Sequence, residues 1–374
     1  MAMTKKWQWM RVYYFEKCKD HLILNAVWPA IRTACSSADA SGFFQRKGAG
    51  GPNVLIGIRG GNPEDVARAR EAIRAYLREH PSSTRISHAE YDQICQTLTS
   101  WEKQSDGLGL QENNKLLDCP EPHNPLVKAG EFQEAIRSFL CRSASLVVNW
   151  LEMVEQGKYN RDSIALHAML AVGWVANPHK LTSCVSFGSH VFGFLNKADK
   201  NQKLAAVFSR NYENGNGEAV RHFVRTTIDA MDRRETPIPF LDSWLQLLRE
   251  TMTVIYQGLV SGTYEIASVM QFQYPEDQRA LVSLLDESPS MRAWQITVNL
   301  VYLTLNQLGV RALERFYACY LLYRAVNDIY GGLAEVGPKL AMGRDTVDML
   351  PFFAYWEKAR PQTHMKLYSI DAKA

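Results

Sequence analysis

Residues 7–16 read WQWMRVYYFE, a run of aromatic and β-branched side chains that suit a pleated, half-buried surface. Alternation sets Trp9, Arg11, Tyr13 and Phe15 on one face and Met10, Val12 and Tyr14 on the other, which predicts a strand. From His21 to Cys35 the apolar residues Leu22, Leu24, Ala26, Val27, Ala30, Ile31 and Ala34 recur at helical spacing, with Pro29 at a kink. Two short strands are expected near 42–46 and 53–59, joined by the turn-prone Gly48-Ala49-Gly50-Gly51-Pro52. Asn62-Pro63-Glu64-Asp65 then supplies a cap, a proline and first-turn acids for a helix over 63–79. The order β-α-β-β-α predicts a split, ferredoxin-like α/β layer.

Beyond His80-Pro81-Ser82-Ser83-Thr84 the chain turns largely helical, apart from a Gly-, Asn- and Pro-rich loop at 104–127. Helical stripes are expected at 130–156, 160–175, 185–197, 200–212, 217–233, 239–259 and 289–328, with an extended piece at 262–273. The fold class is therefore α+β. Its expected division is an α/β layer (1–82), a linker helix and loop (83–127), a helical catalytic region (128–331) and a C-terminal extension (332–374).

Composition narrows the function classes. With 374 residues, 46% of them hydrophobic and 22% charged, the chain is globular rather than disordered. A net charge of +3 is too balanced for a protein whose affinity comes from neutralising phosphates, so no nucleic-acid partner is expected. No run approaches the ~20 apolar residues of a membrane span, and Met1–Trp9 lacks the plan of a signal peptide. These readings predict no membrane contact and a cytoplasmic location. Seven cysteines, widely spaced and without Cys-x-x-Cys, argue against a zinc site or a disulfide framework.

The metalloprotease, phosphate-loop and dinucleotide signatures are missing, and so is a nucleophile elbow. No metal and no cofactor are expected. A pocket of neutral polar and aromatic side chains suits proton transfer and positioning of reactants. The candidates are Phe187-Gly188-Ser189-His190 together with Trp294, Tyr302, Asn306 and Gln307; Trp294, Val298, Tyr302 and Asn306 stand four apart, one stripe of a helix. The plainer reading of a tyrosine on such a stripe is a core residue with a satisfied hydroxyl, and of His190 a hydrogen-bonded residue at a helix start. Arg59, closing a strand, is most simply a solvated charge.

Three segments resemble one family. Gly51-Pro52-Asn53-Val54-Leu55-Ile56-Gly57-Ile58 resembles the Gly-Pro-His-x-Arg-x-Arg strand of the glutamate-elimination domain of class I lanthipeptide dehydratases and their stand-alone thiopeptide relatives. Ser186-Phe187-Gly188-Ser189-His190 is similar to that family's Ser-Phe-x-Ser-His segment, and Tyr302-Leu303-Thr304-Leu305-Asn306-Gln307-Leu308-Gly309-Val310 to its His-Met-x-x-Asn-Arg-Leu-Gly-Ile motif. In eliminating members, as the resemblance has it, two arginines bind the glutamyl ester and the motif histidine supports elimination. Here the arginine positions hold Leu55 and Gly57, the histidine position Tyr302, and the motif's arginine position Gln307. A glutamate side chain calls for bidentate guanidinium pairing, so elimination is not expected.

The resemblance points instead to the thiopeptide pyridine synthases, which keep the fold and perform a formal [4+2] aza-cycloaddition between two dehydroalanines of one peptide, with loss of water and leader. The implied partner is a leader-bearing precursor peptide containing dehydroalanines and azoles, in a bacterial cytoplasm. In this reading Tyr302, His190 and Ser189 are catalytic, while Trp294, Phe187, Asn306, Gln307 and Arg59 bind substrate. Arg46, Lys47 and Arg11 would meet leader carboxylates. Two other readings stay open: an elimination lyase using Arg46 or Arg59, and a non-catalytic leader-binding partner that adds the peptide to a strand edge.

Overall fold

The computed structural model describes residues 6–102, 108–122, 130–176, 182–199, 201–264 and 289–330. The strands β1 (Trp7–Tyr13), β2 (Ser41–Lys47), β3 (Asn53–Arg59) and β4 (Lys115–Asp118) form one antiparallel sheet in the order β2-β3-β1-β4. Between β1 and β2 runs α1, built of Asp20–Leu22, a π-helical turn Ile23–Val27 and Trp28–Ala34; α2 (Pro63–Glu79) follows β3. This is the ferredoxin-like order expected from sequence. An added helix, α3 (His88–Glu102), precedes β4. β4 itself falls within the stretch expected to be loop, because four residues are too short to show a period and their pairing to β1 supplies the order their composition lacks.

Register explains the two sheet faces. Met10 lies opposite Ile56 and Val12 opposite Val54, while Phe44 also flanks Ile56. These residues and Ile58 are buried with Leu22, Ile23, Val27 and Ile31 of α1 and Val66, Ala69 and Ile73 of α2. Gly42 on that face lets α1 approach, since a Cβ there would stand 2.9 Å from Ile31. Asn62 caps α2 by accepting from the Glu64 N–H at 3.1 Å, as its sequence signature predicts. Pro29 sits in the first turn of the Trp28–Ala34 segment, right after the π-turn, so the kink is where its missing N–H costs nothing.

The helices that follow are α4 (Glu131–Glu155), α5 (Arg161–Ala176), α6 (Thr182–Ala198), α7 (Lys203–Asn211), α8 (Gly217–Asp232), α9 (Leu241–Val260), α10 (Pro289–Leu308) and α11 (Ala312–Tyr330). The helical run expected over 289–328 is thus divided. Gly309 takes φ +94°, its N–H bonds the Asn306 carbonyl at 3.0 Å and the Val310 N–H bonds that of Leu305 at 2.9 Å, a Schellman stop. Residues 265–273 of the expected extended piece, and the extension 332–374, lie outside the described residues.

Two compact units result, each discontinuous in sequence. One comprises Met1–Asn124, Ile136–Ser163 and Leu303–Arg311; the other comprises Pro125–Ala135, Ile164–Tyr302 and Ala312–Ala374. No helix among the described residues is long and apolar enough to cross a membrane.

Candidate functional site

In the second unit α6, the first part of α10 and α11 bring together two of the residues singled out from sequence, His190 and Tyr302. Helices α6 and α11 approach closely at Gly188, where a Cβ would stand 2.5 Å from the Tyr323 ring. One turn on, His190 lies beside Tyr302, ring centroids 4.5 Å apart, and beside Phe316 at 5.9 Å, while Phe194 stacks on Phe316 at 3.8 Å. The Tyr302 side chain is 4% exposed and its hydroxyl is 3.5 Å from the Cys319 Sγ. Arg315 places its guanidinium 5.3 Å from the centre of the Tyr302 ring and 5.1 Å from that of Phe316.

Electrostatics make this a neutral cluster with one cation at its side. Burial, reinforced by the Arg315 charge, brings His190 down to about 4, so its imidazole is neutral at pH 7 instead of titrating near neutrality as expected from sequence. Burial pushes the Cys319 thiol up to about 12, outweighing the Tyr302 and Arg315 contributions, so it stays protonated. Phe187 is fully buried, and Trp294 is 9% exposed with its indole Nε1 buried and without a hydrogen-bond partner among the described residues. Ser189 and His190 both lie in the interior of α6, so His190 is not at the helix start that its plainer reading expected. Arg315 and Cys319 escaped sequence reading; their signal was i, i+4 spacing on an apolar helix, which ordinary core residues share.

The other candidates are in the first unit, and several have structural occupations. The Gln307 Nε2–H donates to the Phe44 carbonyl at 2.9 Å, and its Oε1 accepts from the Ser143 hydroxyl at 2.9 Å. Asn306 Oδ1 accepts the Arg46 N–H at 3.2 Å. These two side chains therefore tie down the free edge of β2. Arg46 Nε donates to the Gln307 carbonyl at 3.0 Å and its NH2 pairs with Asp20 at 2.7 Å, while Arg161 takes the other Asp20 oxygen. Although burial works to raise Asp20, the two guanidiniums hold it below its usual range. With Arg46 so engaged and Arg11 only 6% exposed, neither is the solvated charge that leader binding was expected to use. Lys47 is half-buried, and Arg59 lies over the Trp7 ring at 5.6 Å.

The two positions that carry arginine in eliminating relatives are closed by packing. Leu55 is 1% exposed, and a Cβ at Gly57 would meet the Trp9 indole at 2.7 Å. Asn53, at the histidine of the Gly-Pro-His element, donates to the Ala49 and Gly51 carbonyls at 2.8 Å each and closes the β2–β3 turn. Among the described residues no group of three His, Cys, Asp or Glu could hold a metal ion.

A family model described as lantibiotic biosynthesis dehydratase C-term matches residues 7–326, most of the chain. The chain belongs to this family. Within the lantibiotic dehydratase C-terminal family the fold is shared with the pyridine synthase TbtD from thiomuracin biosynthesis, at 23% identity and a TM-score of 0.69, covering 87% of this chain and 99% of that one. TsrL is similar at 15% identity and a TM-score of 0.64, covering 88% and 96%. The tRNA-dependent lantibiotic dehydratase MibB from Microbispora sp. 107891 matches at 14% identity and a TM-score of 0.46, with 29% of its length covered. No curated protein matches the chain.

Proposed function

We propose that this member of the family is a pyridine synthase, joining two dehydroalanines of a leader-bearing, azole-containing ribosomal peptide by a formal [4+2] aza-cycloaddition. The observation that carries the reading is the cluster around Tyr302: a buried phenol, a neutral imidazole and a protonated thiol, with a guanidinium at the edge. Such a set handles protons and holds neutral reactants. The closed positions 55 and 57 argue against arginine-dependent elimination, and the fold shared with TbtD, a pyridine synthase by name, supports the same direction.

The chemistry balances without an added oxidant. The amide before one dehydroalanine tautomerises to its imidic acid, giving a 2-azadiene; the second dehydroalanine adds across it, and two new C–C bonds, CH2 to CH2 and imidic carbon to the second α-carbon, close the six-membered ring. Loss of the imidic hydroxyl as water, then of the leader as a carboxamide, leaves an aromatic pyridine. His190, neutral at pH 7, accepts the amide proton and returns it to the oxygen; Tyr302 donates to the departing hydroxyl. Trp294, whose buried N–H has no partner among the described residues, donates to a substrate carbonyl, and Phe187 is assigned to the substrate-binding set with it. Ser189 is assigned a supporting catalytic role on the same helix. Ring closure between distant alkenes is limited by entropy, and holding both in near-attack geometry contributes several kcal/mol of the roughly 7–11 available to ideal preorganisation.

The test is incubation of the protein with a bis-dehydroalanine, azole-containing precursor, read by mass for macrocycle and released leader. Dehydroalanine formed from a glutamylated peptide, with no macrocycle from the first substrate, would replace the reading by elimination. Peptide binding with neither product would leave a non-catalytic partner.

A further inference from the structure

Arg315 is the cation of the cluster around Tyr302. It is the fourth residue of α11, in the first turn, where the helix macrodipole disfavours positive charge, so helix stability does not account for it. Two aromatic faces hold its guanidinium, 5.3 Å from the centre of the Tyr302 ring and 5.1 Å from that of Phe316. The titratable groups gathered with it are Tyr302 from α10, His190 from α6 and Cys319, one turn on along α11. Burial keeps the Cys319 thiol protonated, and the charge that acts on His190 is that of Arg315. Tyr302 is buried, whereas His190 and Arg315 are half-buried, so the imidazole and the guanidinium both reach solvent beside a buried phenol. A cation fixed among neutral groups is suited to meet negative charge that appears only during a reaction.

We propose that Arg315 is a catalytic residue: its guanidinium binds the amide oxygen of the substrate and pairs with the negative charge that forms there when His190 takes the amide proton. The assignment rests on the cycloaddition reading and deepens it by naming the group that stabilises the imidate. The N–H bond breaks, its electron pair passes through the amide to the oxygen, and the proton goes to the imidazole. The imidate oxygen then takes that proton back, giving the imidic acid, and no electrons are gained or lost. Without a cation at hand, this transfer would create a bare oxyanion and an imidazolium in a site with little water. With Arg315 present the oxyanion is met as it forms. The same charge disfavours an imidazolium beside it, which drives the proton on to the oxygen and returns His190 to its neutral state. Tyr302 later donates to that same oxygen as it leaves as water. His190, Tyr302 and Arg315 thus serve one atom, and the cluster holds all three within reach of each other.

The first arm of the test reads binding and no product. The probe is a leader-bearing peptide ending in an N-methylsulfonyl thiazole-4-carboxamide, an acyl sulfonamide that is anionic at neutral pH and shares its charge with the carbonyl oxygen. Its neutral control ends in the N-methyl carboxamide, and both are titrated by calorimetry into the full chain. The anion is expected to bind about tenfold more tightly than the control, the return from one hydrogen bond between charged groups. That advantage should vanish in Arg315→Met, which keeps the stem over the rings, and persist in Arg315→Lys. Arg315→Gln repeats the loss if the methionine variant does not fold. The second arm is the single-turnover rate on a bis-dehydroalanine precursor, where Arg315→Met should be slower by roughly 10²–10³ at an unchanged melting temperature and Arg315→Lys should recover most of the loss. Equal affinity for anion and control in the parent, or an advantage that survives both neutral variants, would overturn the site; so would a neutral variant that turns over at the parent rate. A parent that prefers the anion through Arg315 but makes no pyridine sinks the cycloaddition reading and leaves an oxyanion site standing.

Discussion

Gln307→Met separates a structural from a substrate-binding role at a residue that sequence reading placed in the pocket. Gln307, Phe44 and Ser143 are all fully buried, and the Gln307 amide is hydrogen-bonded to both partners at 2.9 Å. Methionine keeps the length of the side chain, so the cavity contribution is small and the loss is polar. Ser143 retains an acceptor, the Leu140 carbonyl at 3.2 Å, and its hydroxyl can turn to it. The Phe44 carbonyl has no such alternative on the edge of β2, and stranding it costs about 1–3 kcal/mol, with up to about 1 kcal/mol more at Ser143. A total of roughly 2–4 kcal/mol corresponds to a Tm drop of roughly 5–10 °C for a cooperative unit of this size. The assay is thermal melting beside KM for the precursor peptide, measured well below the transition. Lower Tm with unchanged KM is the expected result. A variant that melts with the parent while its KM rises tenfold would refute the reasoning and return Gln307 to the substrate site.

Other expectations follow from the second unit. Tyr302→Phe loses one long contact to Cys319 and should melt within about 1 kcal/mol of the parent, yet slow product formation by roughly 10²–10⁴ in single-turnover assays; an unchanged rate would end its catalytic assignment. His190 has a folded pKa, about 4, below its ordinary 6.5, so the fold prefers the neutral ring. Stability from this group is therefore full above pH 6.5 and lost as pH falls toward 4, amounting to on the order of 3 kcal/mol; His190→Gln should flatten that part of the denaturation-versus-pH curve, and an unaltered slope would contradict the shift. Gly188→Ala presses a methyl against Tyr323 and should cost about 1–3 kcal/mol by overpacking α6 on α11, detectable by urea midpoint; a neutral result would mean the helices are not so closely apposed.

The N-terminal layer was legible because each of its elements carries an independent local signal. Aromatic alternation marks β1, the glycine-proline turn separates β2 from β3, and Asn62-Pro63 opens α2 where the cap is found. β4 was not legible, since its order comes from pairing with β1 and not from its four residues. At the site, the sequence order of Phe187, His190, Trp294 and Tyr302 points to two helices, and the buried settings of Trp294 and Tyr302 agree with the stripe those two share. What it hides is depth. Arg46 and Arg11 look like surface charges until Asp20 and the sheet register bury them, and Asn306 and Gln307 look like ligands until β2 shows an edge in need of partners. Arg315 is invisible for the opposite reason, a common residue made significant only by the two rings beneath it.

The central claim is that this chain closes a pyridine from two dehydroalanines. Its most direct test uses a leader-bearing, azole-containing precursor with ¹⁸O placed in the amide carbonyl that becomes the imidic hydroxyl, incubated with the purified protein and followed by high-resolution mass spectrometry. The account predicts a macrocycle that has lost both the leader carboxamide and the ¹⁸O label, released as labelled water, with no added metal, nucleotide or redox carrier. Recovery of the intact precursor, or of a product that keeps the ¹⁸O and the leader, would contradict it.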